Sequence, residues 1–104
     1  MIYFIVCEPS GAGPEYIKIG YARRGLEKRL TALQVGSPHP LRVLSVIEGS
    51  QDIETAIHAK WQGRHYRGEW YAVSQELLEW IEEEAQQFAD SVATSGVFFT
   101  ARRR

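Results

Sequence analysis

The sequence predicts an α+β domain in which helices pack on a small antiparallel sheet. Three observations carry this. Short β-rich apolar runs recur at residues 2–7, 16–21 and 41–47. Between and after them lie segments with apolar residues at spacings of three and four. Gly/Pro-rich stretches separate the two kinds of segment. The predicted order is β-β-α-β-α-(β)-α, a layer arrangement in which each element buries one face.

The first run, Ile2 to Cys7, is a buried strand by length and residue type. Residues 9–14 are loop chemistry, with two prolines and two glycines in six positions. Glu15 to Tyr21 is a second strand whose alternation puts Tyr16, Lys18 and Gly20 on one face and Ile17, Ile19 and Tyr21 on the other. A hairpin is the economical connection. Leu26, Leu30 and Leu33 mark an amphipathic helix over about 24–34, ended by Gly36-Ser37-Pro38-His39-Pro40. Leu41 to Ile47 is the third strand. Ser50 caps a helix from about 51 to 62 that buries Ile53, Ala56, Ile57 and Trp61. Gly63 to Gly68 reads as a polar, basic loop, and Glu69 to Val73 as a short extended segment with Trp70 in the core. Ser74 caps one last helix, roughly 75–92, with Leu77, Leu78, Ile81, Ala85, Phe88 and Val92 inward. The domain is expected over 1–93, with 94–104 a partly flexible tail in which Val97-Phe98-Phe99 could dock.

With 104 residues, 44% of them hydrophobic, the chain has room for one core. The lone cysteine, Cys7, rules out an intrachain disulfide and suits a reducing compartment. No apolar run approaches the ~20 residues that span a bilayer, and the N-terminus lacks the basic start of a signal peptide. The expectation is a cytoplasmic protein with no membrane partner. The net charge of -1 hides an uneven distribution. Residues 1–75 hold nine basic against seven acidic side chains, 76–90 hold six acidic and no basic ones, and the chain closes on three arginines. A nucleic-acid surface is therefore allowed on the first three-quarters of the chain.

Candidate chemistry clusters in the hairpin and the helix after it. Tyr3 and Tyr16 flank Lys18, a strand lysine that must reach solvent or find an anion. Gly20 leaves room for a close approach. Arg29 borders the buried face of its helix, and its planar fork suits a phosphate. Taken singly, each has an ordinary structural reading: tyrosines at a core edge, a lysine guarding a sheet edge. Glu54 and His58 stand one helical turn apart and border the apolar stripe, where a carboxylate beside an imidazole can hold Mg2+ or Mn2+. One carboxylate and one histidine are too few for a tight metal cage, so on spacing alone the pair reads as an ordinary helix-surface pair. Glu69 is either a salt-bridge partner or a group lining the same site.

In order and spacing, Ile2-Tyr3-Phe4, Tyr16-Ile17-Lys18-Ile19-Gly20-Tyr21, Leu26-Glu27-Lys28-Arg29-Leu30, Glu54-Thr55-Ala56-Ile57-His58 and Gly68-Glu69-Trp70-Tyr71 resemble the GIY-YIG nuclease superfamily. The similarity is to a phage and bacterial branch with a K-I-G second motif and a G-E-W-aromatic element. It implies a three-stranded antiparallel sheet flanked by helices and a metal-dependent endonuclease acting on DNA. It implies catalytic roles for Tyr3, Lys18, Arg29 and Glu54, with Glu54 holding one Mg2+ or Mn2+ ion. Tyr16, Gly20, His58 and Glu69 would be accessory. Lys18 stands where the second motif usually has a tyrosine, Glu69 near a usual asparagine, and Leu33 where some members carry histidine or tyrosine. For Lys18 the replacement has a physical use: a cation beside Tyr3 would lower the phenol pKa from its ordinary ~10, or would bind phosphate itself. Arg23, Arg24, Lys28, Arg64 and Arg67 are candidates for contacts to the DNA backbone. The oligomeric state is open, a homodimer included. Two other readings stand beside the nuclease: a DNA-binding module of the same fold without catalysis, and a protein-interaction domain suggested by the acidic last helix.

Overall fold

A computed structural model describes residues 1–9 and 13–95. The elements are β1 (Ile2–Cys7), β2 (Tyr16–Tyr21), α1 (Leu26–Val35), β3 (Leu41–Ile47), α2 (Gln51–Lys60), a 3-10 turn (Gln62–Arg64), β4 (His65–Arg67), β5 (Trp70–Ala72), α3 (Gln75–Glu83) and α4 (Ala85–Ser95). The α+β class holds, but the expected three-stranded sheet is corrected. The sheet has five strands in the order β3-β1-β2-β5-β4, and every neighbouring pair is antiparallel.

The two extra strands come from the region read as a basic loop and an extended segment. Gly68 and Glu69 form the two-residue connection between Arg67 and Trp70, and Gly68 takes φ 56. A glycine with positive φ at the first central position is what a tight hairpin of matching twist needs. The hairpin docks through Lys18↔Trp70, Ile17↔Tyr71 and Tyr16↔Ala72, so the backbone of β2 recruits it. β4 is exposed along its whole length and three residues long, so it shows no apolar alternation.

The last helix is also corrected, from one element to two. Glu84 leaves helical geometry at φ -126, ψ -15, at the end of the run Glu82-Glu83-Glu84. After this break Phe88 meets Trp80 edge-on at 5.6 Å, and Trp80 meets Trp61 of the α2 C-cap at 5.5 Å. The Lys60 ammonium lies over all three rings. The two serine caps are as expected: Ser50 accepts from Ile53 N and Ser74 from Leu77 N.

β1 lies in the sheet interior and is buried on both sides. One face, with Ile2, Phe4, Val6, Ile17, Ile19 and Tyr71, is sealed by Ile53, Ile57, Trp61, Leu77, Trp80, Ile81, Ala85 and Ala89. Trp80 and Ala89 belong to this core although the helical pattern did not single them out. The other face carries Tyr3 and Ile5 with Ala22, and Leu26, Leu30 and Leu33 of α1 pack on it half-buried. No residue of α1 is fully buried. Among the described residues no helix is long and apolar enough to cross a membrane. The expectations for residues 10–12 of the first loop, for Val97, Phe98 and Phe99, and for the three terminal arginines lie outside the described residues.

Candidate metal and phosphate site

The site forms where the sheet runs out. β5 pairs with β2 only as far as Lys18, and the last backbone bond on that side runs from Ile19 N to Glu69 O at 3.0 Å. The carbonyl of Ile19 meets His58 Nε2 of α2 at 2.8 Å instead of another strand. A carbonyl only accepts, so Nε2 carries the proton of this bond. The bond fixes the flank of α2 against the end of β2, and with it Glu54 one turn earlier.

Glu54 is the only charged residue in the buried set of described residues, at 6% exposure. Its Oε2 has no hydrogen-bond partner among the described residues. It lies 4.0 Å from His58 Nε2, beyond hydrogen-bond reach. Burial pushes the Glu54 carboxyl up to about 7, the negative charge of Glu69 and a hydrogen bond to it add to the shift, and Lys18 opposes it. Ligand atoms of Glu54, His58 and Glu69 all lie within 4.8 Å of one another. Two crowded carboxylates, one with an orphaned buried oxygen, form a donor set that fits a hard divalent cation such as Mg2+ or Mn2+.

Glu69, in the turn between β4 and β5, also pairs with Lys18 Nζ at 3.2 Å. The Lys18 ammonium lies 5.6 Å from the centre of the Trp70 ring. The cross-strand partner of Gly20 is Tyr3, and a Cβ at position 20 would fall on the Tyr3 ring and hydroxyl. Gly20 is therefore required by packing, in a cradle for the phenol. Tyr3 is 1% exposed. Burial raises its pKa, Arg29 opposes this, and the charges of Glu69 and Glu54 raise it further. The expectation that Lys18 lowers the Tyr3 phenol is thus corrected. The phenol is raised, and the cation acting on it is Arg29, while Lys18 is engaged with Glu69. Arg29 itself is exposed on α1, one turn after Gly25, whose φ of 72 starts the helix.

The structure accordingly brings Tyr3, Lys18, Gly20, Arg29, Glu54, His58 and Glu69 into one region. The other basic candidates are spread out. Arg64 donates to the carbonyls of Ala72 and Val73 at 3.3 and 2.9 Å, which ties the 3-10 turn to the end of β5. Arg24 and Lys28 line a hollow with Met1 and Glu27 at the start of α1. Arg23 is exposed in the turn before that helix. Arg67 lies in β4, and Tyr16 stacks on Tyr66 with ring centres 4.7 Å apart. The role of Trp70 is corrected too, since it is half-buried and not core. Tyr66 is not singled out by the sequence pattern. The signal that could have found it is Gly68-Glu69 as a hairpin turn, which places residues 66 and 70 on neighbouring strands.

A family model described as the T5orf172 domain matches residues 1–92. No curated protein and no solved structure matches the chain.

Proposed function

Since the chain belongs to the T5orf172 domain family, which points towards nucleic-acid work, we propose that it is a metal-dependent endonuclease of GIY-YIG type that hydrolyses phosphodiester bonds in DNA. One observation carries the proposal: the buried phenol of β1 feels the charge both of the Arg29 guanidinium from α1 and of the Glu54 carboxylate from α2, one of whose buried oxygens is orphaned. Such convergence from three separate elements is costly to fold unless a ligand uses it, because buried carboxylates lose solvation.

Glu54 would hold the divalent cation, with Glu69 within reach as a further donor and His58, whose Nε2 is committed to the Ile19 carbonyl, as a partner that orients the site. A cation held there would supply positive charge to a phosphate oxygen of the substrate. Arg29 donates its fork to the non-bridging oxygens, where charge grows towards the transition state. Tyr3, with its raised pKa, keeps its proton at neutral pH, so its hydroxyl orients the attacking water and is not the base. Lys18 lowers the cost of two adjacent carboxylates by holding Glu69 and favouring the charged form of Glu54. Supercoiled plasmid with Mg2+ or Mn2+ tests the reading. The wild type nicks it, while Glu54→Gln and Arg29→Ala, folded by circular dichroism, nick about 100-fold more slowly or worse. Equal rates for wild type and Glu54→Gln would remove the proposal.

A second reading, DNA binding without cleavage, is favoured by the Lys18–Glu69 pair, in which an internal cation already faces one of the carboxylates. It predicts salt-dependent DNA association with no nicking in either metal.

A further inference from the structure

The face of the sheet that carries the candidate site continues past it into an aromatic groove. Register places Cys7, Tyr16 and Trp70 on the same face as Tyr3, Ile5, Lys18 and Gly20. α1 covers the β1 side of this face and leaves the rest open. Between the α1–β3 connection and the β4–β5 hairpin lies a groove of about 520 Å³, lined by Leu33, His39, Tyr16, Tyr66, Arg67 and Trp70 among others. Tyr66 is 55% exposed, a large apolar surface left in water on the hairpin, and its ring stacks against Tyr16. Trp70 connects the groove to the site, since its ring also lies beside the Lys18 ammonium.

We propose that this groove binds an unpaired nucleobase of the strand whose phosphate occupies the candidate site, so that the substrate class is DNA with single-stranded or locally unpaired character. The proposal rests on the nucleic-acid reading above but not on cleavage. The groove volume is of the size that holds a small planar ligand. Flat aromatic faces beside cations are the standard platform for single-stranded nucleic acid, because every base offers a π-face and every nucleotide a phosphate. Arg67 supplies a cation on the groove wall, and among the described lining residues there is no carboxylate; Lys18, beside Trp70 at the inner end, is already paired with Glu69. This charge favours a polyanion over an acidic-rimmed apolar peptide partner. Along β2, Tyr16 and Lys18 are two residues apart, roughly 7 Å. A base on Tyr16, Tyr66 or Trp70 would therefore belong to a nucleotide one or two steps from the phosphate at the site. A base in intact duplex cannot enter, because its faces are covered by its neighbours.

The test is binding of a short oligothymidylate, an abasic strand of equal length and a duplex of equal length, with divalent metal chelated and salt fixed. Readouts are anisotropy of the labelled strand and quenching of tryptophan fluorescence. The expected result is that the oligothymidylate binds about tenfold tighter than the abasic strand, as one stacked base is worth ~1–3 kcal/mol, and that it quenches fluorescence. Tyr66→Ala should bring the oligothymidylate down to the affinity of the abasic strand, and Tyr66→Phe should keep the difference. Equal affinities for the two strands, discrimination that survives Tyr66→Ala, or a duplex that binds as tightly as the single strand would overturn the proposal. An apolar peptide that fills the groove and leaves strand binding untouched would overturn it as well. Cleavage of plasmid without base discrimination would defeat this inference alone. Base discrimination without cleavage would defeat the nuclease reading alone.

Discussion

Beneath α2, α3 and α4 the sheet presents Ile2, Phe4, Val6, Ile17 and Ile19, each at most 1% exposed, against a continuous aromatic and aliphatic layer. Across the same strands, α1 rests on Tyr3 and Ile5 without burying any residue of its own fully, and Arg29 and Tyr66 stand in solvent. The sealed face holds the larger of the two buried clusters. The half-open face gives up apolar burial and in return leaves room for charged groups and for a ligand. Glu54 crosses this division. It is carried by a helix of the sealed layer but delivers its carboxyl around the end of β5 to the groups of the open face.

The largest expected effect separates the two faces by stability. Ile57→Ala, in the sealed layer, should cost about 2–5 kcal/mol in denaturant unfolding. Leu30→Ala on α1 should cost less than half of that, because its side chain is only half-buried. Equal losses would break the distinction. Next, Arg29→Ala should lower the nicking rate about 100-fold and leave stability within ~0.5 kcal/mol, as an exposed residue outside the core should. A parallel loss of stability would make Arg29 a structural residue.

The third effect is pH-dependent. The Glu54 carboxyl sits at about 7 in the folded chain against 4.5 ordinarily, so between those values the folded state holds a proton that the unfolded state has released. Its contribution to stability therefore falls as pH rises through that window, by about 1.4 kcal/mol per pH unit at most. Glu54→Gln should gain stability over wild type at pH 8 and gain little at pH 4, read from melting temperatures without metal. The smallest effect concerns the cradle of Tyr3. Gly20→Ala should cost roughly 1–3 kcal/mol by overpacking, and much less in a Tyr3→Val background, where the ring it strikes is gone.

Much of this plan is legible in the residues alone. Residues 2–7, 16–21 and 41–47 are long enough and apolar enough to announce strands, and Ser50 and Ser74 announce their helices by a side chain that caps the first turn. β4 and β5 were not legible as sheet members. Each has three residues, β4 buries nothing, and both are held by backbone pairing that leaves no mark on side-chain pattern. The break at Glu84 escaped for a similar reason, since Leu77, Ile81, Ala85, Phe88 and Val92 keep helical spacing across it. At the site, motif order picked out Tyr3, Arg29 and Glu54. The pairing of Lys18 with Glu69, and hence the source of charge at the phenol, depends on where the hairpin turn lands, which is a tertiary fact. Trp70 reads as core because tryptophan is highly buried on average. Its place on the groove wall follows from the register of a strand too short to read.

Calorimetric titration of the protein with Mn2+ probes the convergence most directly. One ion per chain should bind, more weakly at pH 6 than at pH 8 because a proton competes for Glu54, and Glu54→Gln should abolish the binding. Titration heats that are absent in the wild type, or unchanged in Glu54→Gln, would contradict the assignment of these carboxylates to a metal.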